Sequence, residues 1–194
     1  MSKTLLVTFL PRENSNTRQL VDAFKENYTG DLVERRLDEG SVPLLNDVAM
    51  KTWWGPATEN EVESASQEFI DELKSADNVL LATPMYNWSL PAPMKAWLDL
   101  VIRGGQTFEF TDQGANGLLE TKNAGLLVTT GMTDLGSEGD HLVPVVETAF
   151  GLMSKAEFTW VGASNLLVVG EEKAAELVSE AVEKAADLGK KWSE

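Results

Sequence analysis

Hydrophobic and polar positions along the chain switch repeatedly between short apolar runs and a helical period. Residues 4–9 form a run rich in β-formers, and after a polar loop Leu20, Val21 and Phe24 recur at helical spacing up to Asn27. Residues 32–37 read as a weaker, charged strand suited to a sheet edge, and residues 58–76 as a long helix with Val62, Ala65, Phe69 and Leu73 on one face. Residues 79–82 make a buried strand. Pro91 and Pro93 close a turn before a helix marked by Met94, Trp97, Leu98 and Val101, which Gly104 and Gly105 end. Residues 124–129 are the clearest strand and residues 141–153 the helix after it. Residues 158–161 give a fifth strand, with 166–169 as a candidate continuation, and an alanine-rich amphipathic helix runs from Glu171 to about Trp192. Trp53 and Trp54 fall in a loop-like segment between Pro43 and Pro56.

Strand and helix therefore alternate five times, which predicts an α/β fold with a parallel sheet, because right-handed crossovers place helices on both faces. Ligands of such sheets bind outside the carboxyl ends of the strands. The loops after Phe9, Ala82 and Thr129 are the predicted site.

Composition narrows the chemistry. The 194 residues suit a single domain spanning 1–194, and 43% hydrophobic residues suffice for its core. Sixteen basic against 31 acidic side chains give a net charge of −15, which repels nucleic acid. Cysteine is absent, so thiolate metal sites, cysteine nucleophiles and disulfides are excluded, and a single histidine, His141, makes no His-based metal site. No apolar run approaches the ~20 residues of a membrane span, and no signal-peptide pattern opens the chain. A soluble cytoplasmic protein without metal, membrane or nucleic-acid partner is expected.

The first loop enters a helix, whose start presents backbone N–H groups and a positive dipole end; Ser15, Asn16 and Thr17 add donors for an anion there, or serve as ordinary caps. It contains no glycine and matches neither the Walker pattern nor G-x-G-x-x-G. The second loop carries Pro84, Pro91 and Pro93, with Tyr86 and Trp88 flanking the Asn87 amide. That set suits a flat heteroaromatic ligand, or the aromatics simply pack. The third loop, with Gly131, Gly136 and Gly139, is expected to be a mobile gate, and His141 beyond it caps a helix or faces solvent.

The run P-M-Y-N-W-S-L-P-A-P-M-K-A-W-L-D-L-V-I-R-G-G-Q-T-F, from Pro84 to Phe108, resembles the signature of the FMN-dependent NAD(P)H azoreductases, relatives of the NAD(P)H quinone oxidoreductases in the flavodoxin-like superfamily. The resemblance implies a flavodoxin-like three-layer sandwich with sheet order 2-1-3-4-5. It implies that Ser15, Asn16 and Thr17 bind the FMN phosphate, that Pro84, Met85, Tyr86, Asn87 and Trp88 hold the flavin, and that the backbone of Thr129, Thr130 and Gly131 meets its edge. Trp88 stands where the family usually has phenylalanine, Gly131 where it has arginine, and Ala163-Ser164-Asn165 where it has an A-E-G-like segment. Arg12 is a candidate additional phosphate contact.

The implied activity is a ping-pong transfer of hydride from NADH or NADPH, through FMN, to quinones or azo compounds, with no essential catalytic side chain. The implied unit is a homodimer in which Phe110 and Trp160 face the substrate side. Three other readings compete. A flavodoxin-type electron carrier lacks its T-x-T-G-x-T loop here; a phospho-receiver needs acids where Thr8, Phe9 and Thr83 stand; a specialised reductase of one metabolite fits the altered positions.

Overall fold

The predicted alternation folds around one parallel sheet. The computed structural model describes residues 1–37, 42–54 and 60–194. Among them the elements run β1 (Lys3–Thr8), α1 (Asn16–Asn27), β2 (Asp31–Arg36), α2 (Asp47–Trp54), α3 (Glu61–Lys74), β3 (Asn78–Pro84), α4 (Ala92–Val101), β4 (Phe108–Thr111), β5 (Gly114–Gly117), β6 (Asn123–Thr129), α5 (Val143–Met153), β7 (Glu157–Ala163) and α6 (Glu171–Ser193). The main sheet has the order β2-β1-β3-β6-β7, all pairs parallel, which is the flavodoxin-like order 2-1-3-4-5 of its own strands.

Burial explains the layers. Leu80, Leu81, Leu126, Leu127 and Val128 of the central strands are fully buried, as expected for strands covered on both faces. One face packs on Phe69, Ile70, Trp97 and Phe150 from α3, α4 and α5, and the other on Leu20, Phe24, Val178 and Trp192 from α1 and α6. Strand β2 is the predicted edge. Its Arg35 pairs with Glu68 and Glu72 and lies 5.2 Å from the centre of the Phe69 ring, so charge covers apolar surface there.

Several expectations need correction. Trp53 and Trp54 end helix α2 instead of lying in a loop. Asn46 starts that helix, its Oδ1 accepting from Val48 N at 3.1 Å and Ala49 N at 3.0 Å. The indole of Trp53 donates to Glu63 at 2.8 Å, and the Arg103 guanidinium lies 5.2 Å from its ring centre. Helix α3 begins at Glu61, capped by Asn60, while the expected start at Thr58 lies outside the described residues. Residues 166–169 do not extend the fifth strand: Asn165 adopts φ +62°, and its carbonyl accepts from Val168 N and Val169 N, turning the chain back. The helix expected from residue 141 begins at Val143, with Leu142 at the N-cap; Asp140 holds the turn ahead of it, Oδ1 accepting from Leu142 N at 2.9 Å and Val143 N at 3.1 Å. His141 is left exposed. The hairpin β4–β5 was outside the predicted pattern, although Phe108 and Phe110 alternate on one side of a turn that Gly114 closes; their rings meet edge to face at 5.4 Å.

At the amino ends of the strands, Asp77 accepts from Lys3 N at 3.0 Å and from Lys122 Nζ at 2.9 Å. These bonds, the backbone one first, hold its carboxyl below the usual value. A lowered folded-state pKa stabilises the fold above the unfolded value of about 3.9 and loses that contribution as pH falls through the folded value. Asp77→Asn is therefore expected to be less stable than the parent near neutrality and to converge with it in acid. Urea titrations across the carboxylate range check this, and parallel stability curves would refute it.

Candidate functional site

Four segments at the carboxyl edge of the sheet enclose a cleft of about 600 Å³: the loops after β1, β3 and β6, and the turn after β7. Asn16, Pro84, Met85, Tyr86, Asn87, Trp88, Thr129, Thr130 and Gly131 line it, so the structure gathers most of the predicted site residues. Among the described lining residues Arg12 is the sole charged one. In a chain of net charge −15, a cleft whose described lining carries one guanidinium and no carboxylate favours an anion locally.

The first loop is braced from within. Ser15 Oγ accepts from Arg18 N at 3.2 Å, capping α1, and Arg18 donates to the Leu10 carbonyl at 3.0 Å. Thr17 is fully buried, and its hydroxyl meets that of Thr129 at 2.7 Å, tying the first loop to the third. Ser15 and Thr17 thus turn their side chains to cap and bridge, and neither lines the cleft as Asn16 does. Of the first-turn N–H groups of α1, that of Arg18 is taken by Ser15, while those of Asn16 and Thr17 lie ahead of any intrahelical acceptor.

The second loop holds the strained backbone of the site. Tyr86 and Ser89 exchange both main-chain hydrogen bonds at 3.1 Å, making a two-residue hairpin turn whose central residues, Asn87 (φ +48°) and Trp88 (φ +64°), are both left-handed. Asparagine tolerates this; a tryptophan there costs about 1–2 kcal/mol. Trp88 is 58% exposed, so burial within the chain does not offset the strain, and simple core packing does not account for its ring. The turn uses no main-chain donor or acceptor of Asn87 or Trp88 for its own closure. Met85 N donates to Thr129 O at 3.0 Å and sets the spacing to the third loop.

The third loop, expected to be a gate, is joined to its surroundings by hydrogen bonds in this structure. Thr130 N donates to Ala163 O at 3.0 Å, the Thr130 hydroxyl donates to Thr133 O, Leu135 N donates to Ser164 Oγ at 3.0 Å, and Gly136 N donates to Asp140 Oδ2 at 2.9 Å. Residues Met132, Thr133, Leu166 and Leu167 also line the cleft and were not singled out from sequence. The apolar run at 166–169 was the available signal, read there as strand.

Phe110 and Trp160 do not reach this cleft in their own chain. Phe110, 76% exposed on β4, borders a separate cavity of about 460 Å³ with Trp53 and Arg103. Trp160, 39% exposed on edge strand β7, lies beside Gly136.

Comparison with known proteins agrees with this architecture. A family model described as "Flavodoxin-like fold" matches residues 2–188. A protein of Pseudomonas fluorescens named FMN-dependent NADH:quinone oxidoreductase 2 is 34% identical over 182 residues, 88% of this chain and 92% of its own. A crystal structure of an azoreductase from Bacillus anthracis superimposes with a TM-score of 0.88 at 24% identity, covering 98% of this chain and all of that one. A second Bacillus anthracis structure, an FMN-dependent NADH-azoreductase in complex with FMN, superimposes with a TM-score of 0.81 at 18% identity over 97% of this chain and all of that one. Fold, sheet order and sequence likeness together place this chain in the flavodoxin-like fold family, alongside relatives named FMN-dependent NADH:quinone oxidoreductases.

Proposed function

We propose that this protein is an FMN-dependent NADH oxidoreductase that reduces quinones or azo compounds. The observation that carries the reading is the cleft itself: a helix start and Arg12 at one end, and a left-handed Asn87–Trp88 turn facing an anchored Thr129–Gly131 backbone. The relatives' names and the FMN complex of one structural neighbour support the same reading.

The residues fit the cofactor. A phosphate suits the α1 start, where Asn16 and first-turn N–H groups donate and Arg12 supplies charge. Thr17 positions this loop through its bond to Thr129 without itself lining the cleft. A planar ring system suits the space between the two backbone turns, with Asn87 offering an amide, Met85 and Trp88 apolar surface, and the Thr130–Gly131 backbone a polar edge. When bound, FMN supplies two-electron hydride chemistry that no side chain here offers, with donor and acceptor alternating at one face in a ping-pong sequence. The chain's part is to bind, orient and keep that face open.

We further propose that the protein acts as a cytoplasmic homodimer of single-domain subunits. An apolar groove of about 340 Å³ between α4 and α5, with Leu98, Ile102, Val145 and Leu152 along it, supports such an interface. A second copy there would give the exposed Phe110 and Trp160 a substrate-facing role that their own chain does not offer. Among the described residues no helix is long and apolar enough to cross a membrane.

The decisive experiment is the visible spectrum of the FMN-supplemented protein before and after anaerobic NADH. Flavin bands that bleach support the oxidoreductase; bound flavin that NADH and NADPH leave oxidised favours an electron carrier; absence of flavin binding overturns the reading. Asn87 is tested within this scheme by two variants. Asn87→Gly removes the amide while easing the left-handed backbone, whereas Asn87→Ala adds backbone strain. Both are expected to weaken FMN binding about five- to tenfold through the lost hydrogen bonds, with Asn87→Ala the less stable of the two. Unchanged affinity in Asn87→Gly would remove the amide from the site.

A further inference from the structure

The chemistry of the cleft mouth goes beyond the cofactor. Leu167, Met132 and Trp88 stand at its rim with exposures of 81%, 67% and 58%, and Arg12 is the sole charged lining residue among those described. Large apolar side chains held this far into water contribute nothing to the core, and their grouping around one opening marks a binding surface.

Leu167 is placed there by two features. The left-handed Asn165 turns the chain after β7, and Leu167 N then donates to the Gly131 carbonyl at 2.8 Å, setting its side chain over that glycine. A Cβ built on Gly131 would come within 2.7 Å of Leu167 Cδ1 and 3.0 Å of its Cγ. A side chain at 131 would therefore displace the end of the Leu167 side chain from this position. The wall that position 131 leaves bare is covered by an apolar arm from position 167.

Resting on the oxidoreductase reading above, we propose that Leu167 is a specificity-determining residue which, with Met132 and Trp88, selects uncharged apolar ring acceptors over anionic acceptors of the same ring size. An uncharged ring buries apolar surface against Leu167 on entering the cleft. A sulfonated or carboxylated ring must desolvate its charge against the same wall without a cation beside it, since the guanidinium of Arg12 serves the phosphate end in this reading. The acidic field of the chain adds to the discrimination.

The test uses the FMN-loaded protein with 2-methyl-1,4-naphthoquinone and 1,4-naphthoquinone-2-sulfonate as acceptors, comparing the parent with Leu167→Ala, Leu167→Met and Leu167→Arg. Flavin content and the rate of flavin bleaching by NADH are recorded for each. The expected results are a KM for the neutral quinone raised on the order of fivefold in Leu167→Ala, parent behaviour in Leu167→Met, and a neutral-to-anionic ratio of kcat/KM shifted toward the sulfonate by about tenfold or more in Leu167→Arg. Because NADH uses the same face, the acceptor ratio is read on flavin-loaded protein and compared with each variant's own NADH bleaching rate, so that a change common to both half-reactions is separated from a change in acceptor choice. A parent-like acceptor ratio in both Leu167→Ala and Leu167→Arg, with flavin bound and reducible, overturns this inference alone. A parent protein that binds no flavin overturns the underlying reading and the inference together.

Discussion

Asn16→Asp is expected to bind FMN about a hundredfold more weakly than the parent while binding riboflavin equally well. Asn16 is the residue of the first loop that both lines the cleft and opens α1. A carboxylate at that point faces the phosphate that the helix start would hold, and like charges a few ångströms apart near a protein surface repel by roughly 3 kcal/mol. The fold should not suffer, because an acid in the first turn of a helix interacts favourably with the dipole, and α1 has none there now. Fluorescence titration with the two flavins separates the explanations. Equal weakening for FMN and riboflavin would mean that Asn16 contacts the ring or shapes the loop, and undiminished FMN binding would move the phosphate elsewhere. Added salt should recover part of the loss.

Gly189→Ala is expected to lower stability by about 2–3 kcal/mol, which for a chain of this size lowers the Tm by roughly 4–12 °C. The reason lies in the contact of α6 with α1. A Cβ at 189 would sit 2.6 Å from the Phe24 carbonyl oxygen and 3.2 Å from the Asn27 carbonyl carbon. Both are backbone atoms, so no side chain can swing aside, and the helices must separate. Trp192, 3% exposed, would move with α6; its indole packs edge to face on Phe24 at 5.8 Å and fills the space above Gly125 in β6. The gain in helix propensity from glycine to alanine, about 1 kcal/mol, offsets only part of this. Gly151→Ala in α5 is the control: a Cβ there meets nothing within 4 Å, so the propensity gain should appear unopposed. Thermal denaturation of the two variants gives opposite signs if the argument holds, and an unchanged Tm for Gly189→Ala would show that α1 and α6 shift at little cost.

Much of this architecture was legible along the chain because its signals are local. The apolar runs that became β1, β3 and β6 and the helical stripes of α1, α4 and α6 each announce their period within a few residues. The same holds for the second loop, where the run from Pro84 to Pro93 carries its prolines, aromatics and amide close together. The misreadings have a common cause. Helix α2 depended on Asn46 capping a short segment, the hairpin β4–β5 on a turn closed by Gly114, and the turn at 165–169 on main-chain bonds from Leu166 to Thr130 and from Leu167 to Gly131. In the last case an apolar run with strand composition found its hydrogen-bond partners in a loop more than thirty residues earlier in the chain, which no local pattern reports.

The sequence by itself determined the layered α/β class, the edge of the sheet where the loops meet, and the donors and aromatics available there, since hydrophobic period and residue chemistry are properties of neighbours along the chain. Only the tertiary structure decided which of those residues face the cleft. It turned Ser15 to cap and Thr17 to bridge, left Asn16 and Arg12 at the opening, anchored the glycine-rich loop, and set Leu167 over Gly131. Those outcomes depend on hydrogen bonds and close contacts between segments far apart in sequence, and they exist only once the sheet has brought the segments together.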